Sequence, residues 1–253
     1  MPFHLAAFTE SQDSATLVPV AALRDTILSV VGDDLRVDRV MNKIVGVYVL
    51  GPDLTRAQLR SPTLQRLWFP ELTPLDLAAE PSSPQVFHDY RFSPIELGPT
   101  ENLNAFAAEG GAGATRATFL VLFSDAPISP VDGDIRTLRL TNTDTLVANA
   151  WTNGQLTLDQ NLQPGEYEIV GMRYEGAGAH AARLVFREGG ARPGVVGVDA
   201  QSDLQAPQFR RGAFGSFGRF FHDALPSVDF LSNSADTSQV VYLDLILRSS
   251  TTV

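Results

Sequence analysis

The chain has 253 residues, 44% hydrophobic and 19% charged, with a net charge of −10. That is ample for one large β domain or two small ones, and its acidity argues against direct binding to a phosphate backbone. There is no cysteine, so disulfides and thiolate metal sites are excluded.

No run approaches the roughly 20 apolar residues of a membrane-spanning helix. Met1 to Glu10 lacks the basic segment and long apolar core of a secretory signal. A soluble chain made in a cytoplasm is the expectation. Lys43 is the only lysine, and every other basic side chain is arginine. Arginine is enriched at protein interfaces, although a GC-rich genome would give the same bias.

In chain order, residues 1–42 read as an N-terminal arm and helix, and 43–253 as a single β-sandwich domain. Pro19 sits at a helix start, with Val20, Leu23, Ile27 and Val30 at helical spacing before Gly32. Lys43 to Leu50 reads as a strand. Asp53 could cap a short helix through Leu59, and Ser61-Pro62 caps a second one. Leu64, Leu67, Trp68 and Phe69 form an apolar patch. Leu72 to Pro84 reads as loop, Val86 to Phe92 as a strand, and Asn102 to Glu109 as a short helix. Thr118 to Phe123 is apolar on both faces, which predicts a central, covered strand.

From there short strands follow one another. They are Ile135 to Leu140, Thr145 to Trp151, Gln155 to Leu158, a hairpin over Gly165 to Arg187, Gly194 to Val198, Phe214 to His222, Val228 to Leu231 and Val240 to Arg248. Turn clusters such as Thr152-Asn-Gly154 separate them. In the hairpin, Tyr167 and Ile169 alternate with Glu166 and Glu168. The phase then slips at Val170-Gly171, which predicts a bulge, and Gly176-Ala-Gly178 supplies the reversal. In the final strand Val241, Leu243, Leu245 and Leu247 share one face.

Chemistry-bearing patterns are weak. Gly176-Ala-Gly178-Ala-His-Ala181 matches a dinucleotide-binding string, but no βαβ repeat follows it. His4, His88, His180 and His222 show no metal-ligand spacing. Asp33-Asp34 and Asp132-Gly-Asp134 do not form a calcium loop. Gly215-Ser216-Phe-Gly218 lacks the first glycine of a nucleophile elbow. Phe214, Phe217 and Phe220 alternate with glycines near Arg210, Arg211 and Arg219. That composition suits single-stranded nucleic acid, or a glycine-kinked strand with Phe in a core. The acidic chain favours the core. No catalytic, cofactor-binding or metal-ligating residue is assigned, and no cofactor is expected.

The C-terminal half has a further property. Arg183-Leu-Val-Phe186 leads to Arg192-Pro-Gly194, Phe209-Arg-Arg-Gly212, Gly218-Arg-Phe220 and Leu225-Pro-Ser-Val-Asp-Phe-Leu231. Over Ala114 to Arg248 this resembles the jelly-roll major capsid proteins of tailless icosahedral viruses of microbes. The resemblance implies an all-β, antiparallel jelly-roll β-sandwich, here with a short N-terminal helix and minor helices in loops. A single jelly roll suits this length better than a double one. It also implies a self-assembling capsid subunit, located in the virion and made in the host cytoplasm, whose partners are its own copies and other shell proteins. One departure is the missing basic arm: residues 1–40 carry three arginines against six acids. Direct nucleic-acid binding is therefore not expected, and another protein or an underlying membrane vesicle would lie between shell and genome.

Two readings stand beside it. A carbohydrate- or protein-binding module would use Trp68 or Trp151 as a platform if exposed, and a cupin-like enzyme would need a metal. The expectation is a non-enzyme.

Overall fold

A computed structural model describes residues 3–51, 53–74, 87–110, 113–158, 160–187, 189–198 and 212–250. The fold is all-β, built from curled antiparallel sheets of the β-sandwich, jelly-roll kind. It divides into two compact units, one of residues 5–127 and one of residues 1–4 with 128–253.

The 5–127 unit holds two five-stranded sheets. In the first, β1 (Phe3–Gln12), β10 (Thr115–Ser124) and β5 (Lys43–Leu50) lie side by side. The short β7 (His88–Asp89) and β8 (Ile95–Glu96) both pair with β5. β10 is the covered central strand its sequence predicts. Phe119, Leu120, Val121, Leu122 and Phe123 are all buried, and they pair antiparallel with β5.

In the second sheet, β2 (Val18–Val20), β4 (Asp34–Arg36) and β6 (Leu54–Arg60) all pair with β9 (Asn102–Glu109), and β3 (Ser29–Val31) closes a hairpin with β4. Gly32 turns that hairpin at φ 63°, a backbone that a two-residue hairpin turn needs and glycine adopts freely.

Three helix expectations are corrected here. No helix starts at Pro19. Val18–Val20 is a strand, and the Asp25 carboxylate accepts from the Ile27 and Leu28 amides, closing a turn where a helix would run. Residues 54–60 and 102–109 are strands because β9 is the hub that three neighbours need. That tertiary demand outweighs the helix propensity of their alanines. Nor is 1–42 an arm, because its strands are woven into both sheets of the 5–127 unit. The single 43–253 sandwich expected from sequence is crossed at Pro127–Ile128 by the boundary between the units. The Ser61-Pro62 cap is present: α1 (Pro62–Arg66) begins with the Leu64 amide donating to Ser61 Oγ at 3.1 Å.

The other unit is a curled nine-stranded sheet. Its order is β12 (Thr152–Gly154), β18 (Ser227–Ser232), β15 (Ala179–Val185), β16 (Gly194–Val198), β14 (Gly165–Glu175), β19 (Gln239–Ser250), β11 (Arg136–Asn142) and β13 (Thr157–Leu158), with β17 (Gly218–Phe221) also on β14. The 145–151 segment is a turn, not the expected strand.

The predicted bulge is real: the β14–β19 register shifts between Ile169 and Gly171. The hairpin is not. β14 pairs with β19 along its length, β15 pairs with β18, and β16 inserts between them, parallel to β14 and antiparallel to β15. Two strands contiguous in sequence are thus separated by a third. The dinucleotide string presents no helix N-terminus, because Ala179–Val185 is strand, as the alternation in the sequence predicts. Phe214, Phe217 and Phe220 are buried, and Phe3 meets the first two rings edge-on at 4.9 and 4.8 Å. Arg210 and Arg211 lie outside the described residues.

Candidate interaction surface

In the 5–127 unit one short motif places an aromatic ring in water. α1 ends with the Trp68 amide donating to the Gln65 carbonyl at 3.2 Å and the Phe69 amide donating to the Leu64 carbonyl at 3.0 Å. This is the paired closure of a Schellman motif, whose turning residue is ordinarily glycine. Here it is Trp68, at φ 53° and 91% exposed. A left-handed backbone at a bulky residue costs about 1–2 kcal/mol, and a ring that is 91% exposed gains little packing from the described residues in return.

The neighbouring turn is fixed by its own contacts. Phe69 packs on Tyr90, ring centroids 5.8 Å apart. Arg91 pairs with Asp89 at 2.7 Å and lies over the Phe92 ring. Phe92 is 82% exposed, and Leu67 beside Trp68 is exposed too. Two adjoining rigid turns thus hold Leu67, Trp68 and Phe92 outward. Exposed aromatic groups of this kind mark contact surfaces more often than chance.

The other unit reverses the polarity. Across β12, β18 and β15, Asn153, Asp229 and Arg183 stand in direct register. Arg183 is 1% exposed, and its Nε donates to Asp229 Oδ2 at 3.1 Å. Arg192 donates to the same oxygen, and Asn153 Nδ2 donates to Oδ1 at 2.9 Å. The Arg192 amide donates to His4 Nδ1 at 3.0 Å. Arg183 also covers the Trp151 ring, its guanidinium carbon 4.1 Å from the centroid. This ladder is an internal brace, and it removes Trp151 as an open platform.

The histidines are scattered. His4 and His180 are buried in strands. His88 Nε2 accepts from the Thr73 amide, and burial pushes its pKa below the usual value. His222 Nδ1 accepts from the Gly165 amide at 3.4 Å. Among the described residues no three His or acidic side chains cluster as metal ligands. Asp33 lies in the β3–β4 turn and Asp34 opens β4. Ser216, from the weak elbow string, hydrogen-bonds Glu168. Sequence reasoning grouped Trp68 with an apolar patch but missed its backbone, because nothing in the string Leu67-Trp68-Phe69 signals a left-handed residue.

No protein-family model matches the sequence, and no curated protein matches it. Among solved structures the chain is similar to the crystal structure of the major capsid protein P2 from Bacteriophage PM2. The identity is 10%, the match covers 96% of this chain and 100% of that one, and the TM-score is 0.22.

Proposed function

We propose that this protein is a non-catalytic structural subunit that assembles with copies of itself into a shell. The observation that carries this reading is Trp68. A ring held in water by a strained, doubly hydrogen-bonded turn costs the free chain energy, and burial against a partner returns it. Fully burying a large apolar side chain is worth about 1.5–3 kcal/mol, and Trp is prominent among residues that dominate interfaces. Leu67 and Phe92 are exposed on the same pair of turns, which the Phe69–Tyr90 contact brings together. The net charge of −10 is consistent with a shell layer that does not itself neutralise nucleic acid. On this reading the chain resides in a virion after synthesis in a host cytoplasm, and another protein or a lipid vesicle separates it from the genome. Electron microscopy of the purified protein at rising concentration tests the proposal. Closed particles or regular capsomers support it, and isolated monomers at every concentration reject it.

The exposed Trp68 ring also favours a second reading, a carbohydrate-binding module in which the ring stacks on a sugar face. A glycan array answers that reading directly, and a blank array removes it.

A further inference from the structure

Two arginines in the 1–4/128–253 unit are underused. Arg187, just after β15, has no hydrogen bond or ion pair among the described residues. Arg219 on β17 has a half-exposed side chain and lies 3.6 Å from Glu168. That carboxylate is already held by Arg248 Nε at 2.5 Å and by Ser216. Arg219 therefore keeps donors for another acceptor.

Both arginines line one groove of about 420 Å³, together with Glu166, Phe186, Phe221 and Pro226. This is within the size range of ligand sites. Phe221 is 57% exposed, whereas Phe220 turns inward and stacks on Tyr167 at 5.7 Å. β17 pairs with β14 along one edge only among the described residues. On its other edge the Phe221 carbonyl accepts from the Ala224 amide at 2.8 Å, which leaves the Arg219 backbone groups and the Phe221 amide for an added strand. Arg219 and Phe221 are two residues apart, so they share a face of β17. The groove thus combines an open strand edge, two guanidinium groups and an exposed phenyl ring. A polyphosphate would leave the exposed Phe221 ring and the β17 edge unused, whereas a peptide strand engages both.

We propose that this groove binds an extended peptide segment carrying a carboxylate and an apolar side chain two residues apart. The segment adds to the β17 edge by main-chain hydrogen bonds. Its carboxylates accept paired hydrogen bonds from Arg219 and Arg187, and its apolar side chain lies on Phe221 and Phe186. Charge complementarity selects the segment, because a basic one would face two guanidinium groups, of which only Arg219 has a carboxylate partner among the described residues, shared with Arg248.

The test uses the whole chain and a fluorescein-labelled Glu-Thr-Val-Thr-Glu peptide, whose sequence reads alike in both strand directions, with Lys-Thr-Val-Thr-Lys as its counterpart. Fluorescence anisotropy at low salt should show the acidic probe binding at least about tenfold more tightly than the basic one. Arg187→Glu with Arg219→Glu should remove that preference, as should the milder Arg187→Gln with Arg219→Gln. Phe221→Ser should weaken the acidic probe several-fold, and Arg24→Glu, in the other unit, should change nothing. Equal binding of the two probes would overturn the proposal. So would no saturation below about 1 mM, an equal loss in Arg24→Glu, or displacement by oligothymidine at lower concentration than by free acidic peptide.

Discussion

The two units solve the same problem with opposite polarity. The 5–127 unit is apolar at its centre, where β10 and β5 are covered on both faces, and it leaves Trp68 and Phe92 in water. The 1–4/128–253 unit carries an ionised ladder within its sheet and keeps Phe214, Phe217 and Phe220 inside. Apolar packing accepts many side chains of similar volume. A cross-strand carboxylate held by two guanidinium groups accepts one register only, because a one-residue slip moves Asp229 to the opposite face. The difference suggests that the ladder fixes pairing where strand order is most scrambled along the chain, at the junction of β15, β18 and β12. On the proposed reading, surface apolarity in the other unit serves contact and not folding.

The sharpest way to break this contrast is Asp229→Ala. It strands Arg183 in the interior and should cost about 3–5 kcal/mol, read by denaturant unfolding with Trp151 fluorescence in a Trp68→Phe background. Replacing the pair together, Arg183→Met with Asp229→Leu, should cost far less or even stabilise. If it costs as much as Asp229→Ala, the ladder's contribution is packing and not charge.

A comparable loss, again about 3–5 kcal/mol, is expected for Phe119→Ala in β10, a ring with no exposed surface. Its effect should not depend on salt.

Trp68→Gly should do the reverse. It relieves the left-handed backbone and should stabilise the free chain by roughly 1 kcal/mol, seen as a higher unfolding midpoint. A loss of stability would mean that Trp68 packs within its own unit.

The smallest effect concerns acid. Burial pushes the Glu168 carboxyl up, but hydrogen bonds from Ser216 and Arg248 and the charges of Arg248 and Arg219 outweigh it and hold the pKa below the ordinary glutamate value. The native state then binds fewer protons than the unfolded chain. The resulting stability is present above about pH 4.3 and is lost as pH falls through the lowered pKa. Arg248→Met should flatten this acid limb in a pH series of unfolding midpoints.

Much of the fold was legible where a local pattern has a single physical cause. Gly171 at a phase slip meant a bulge, a doubly apolar run meant a central strand, and Ser61-Pro62 meant a helix start. Failures came where the cause is distant. Val20, Leu23, Ile27 and Val30 keep helical spacing, yet the Asp25 turn and the pairing of Val18–Val20 with β9 use those residues otherwise. Gly176-Ala-Gly178 does reverse the chain, but no local signal says that β16 will part the two strands it joins. Arg183 and Asp229 lie 46 residues apart, so their pairing is invisible in the sequence. The strain at Trp68 resides in a dihedral angle that its residue type disfavours.

The most direct test of the central claim is native mass, measured side by side for the wild-type chain and for Trp68→Gly. The account predicts concentration-dependent oligomers for the wild type and a monomer, at least as stable, for the variant. A wild-type chain that stays monomeric at high concentration, or identical oligomers from both proteins, would contradict it.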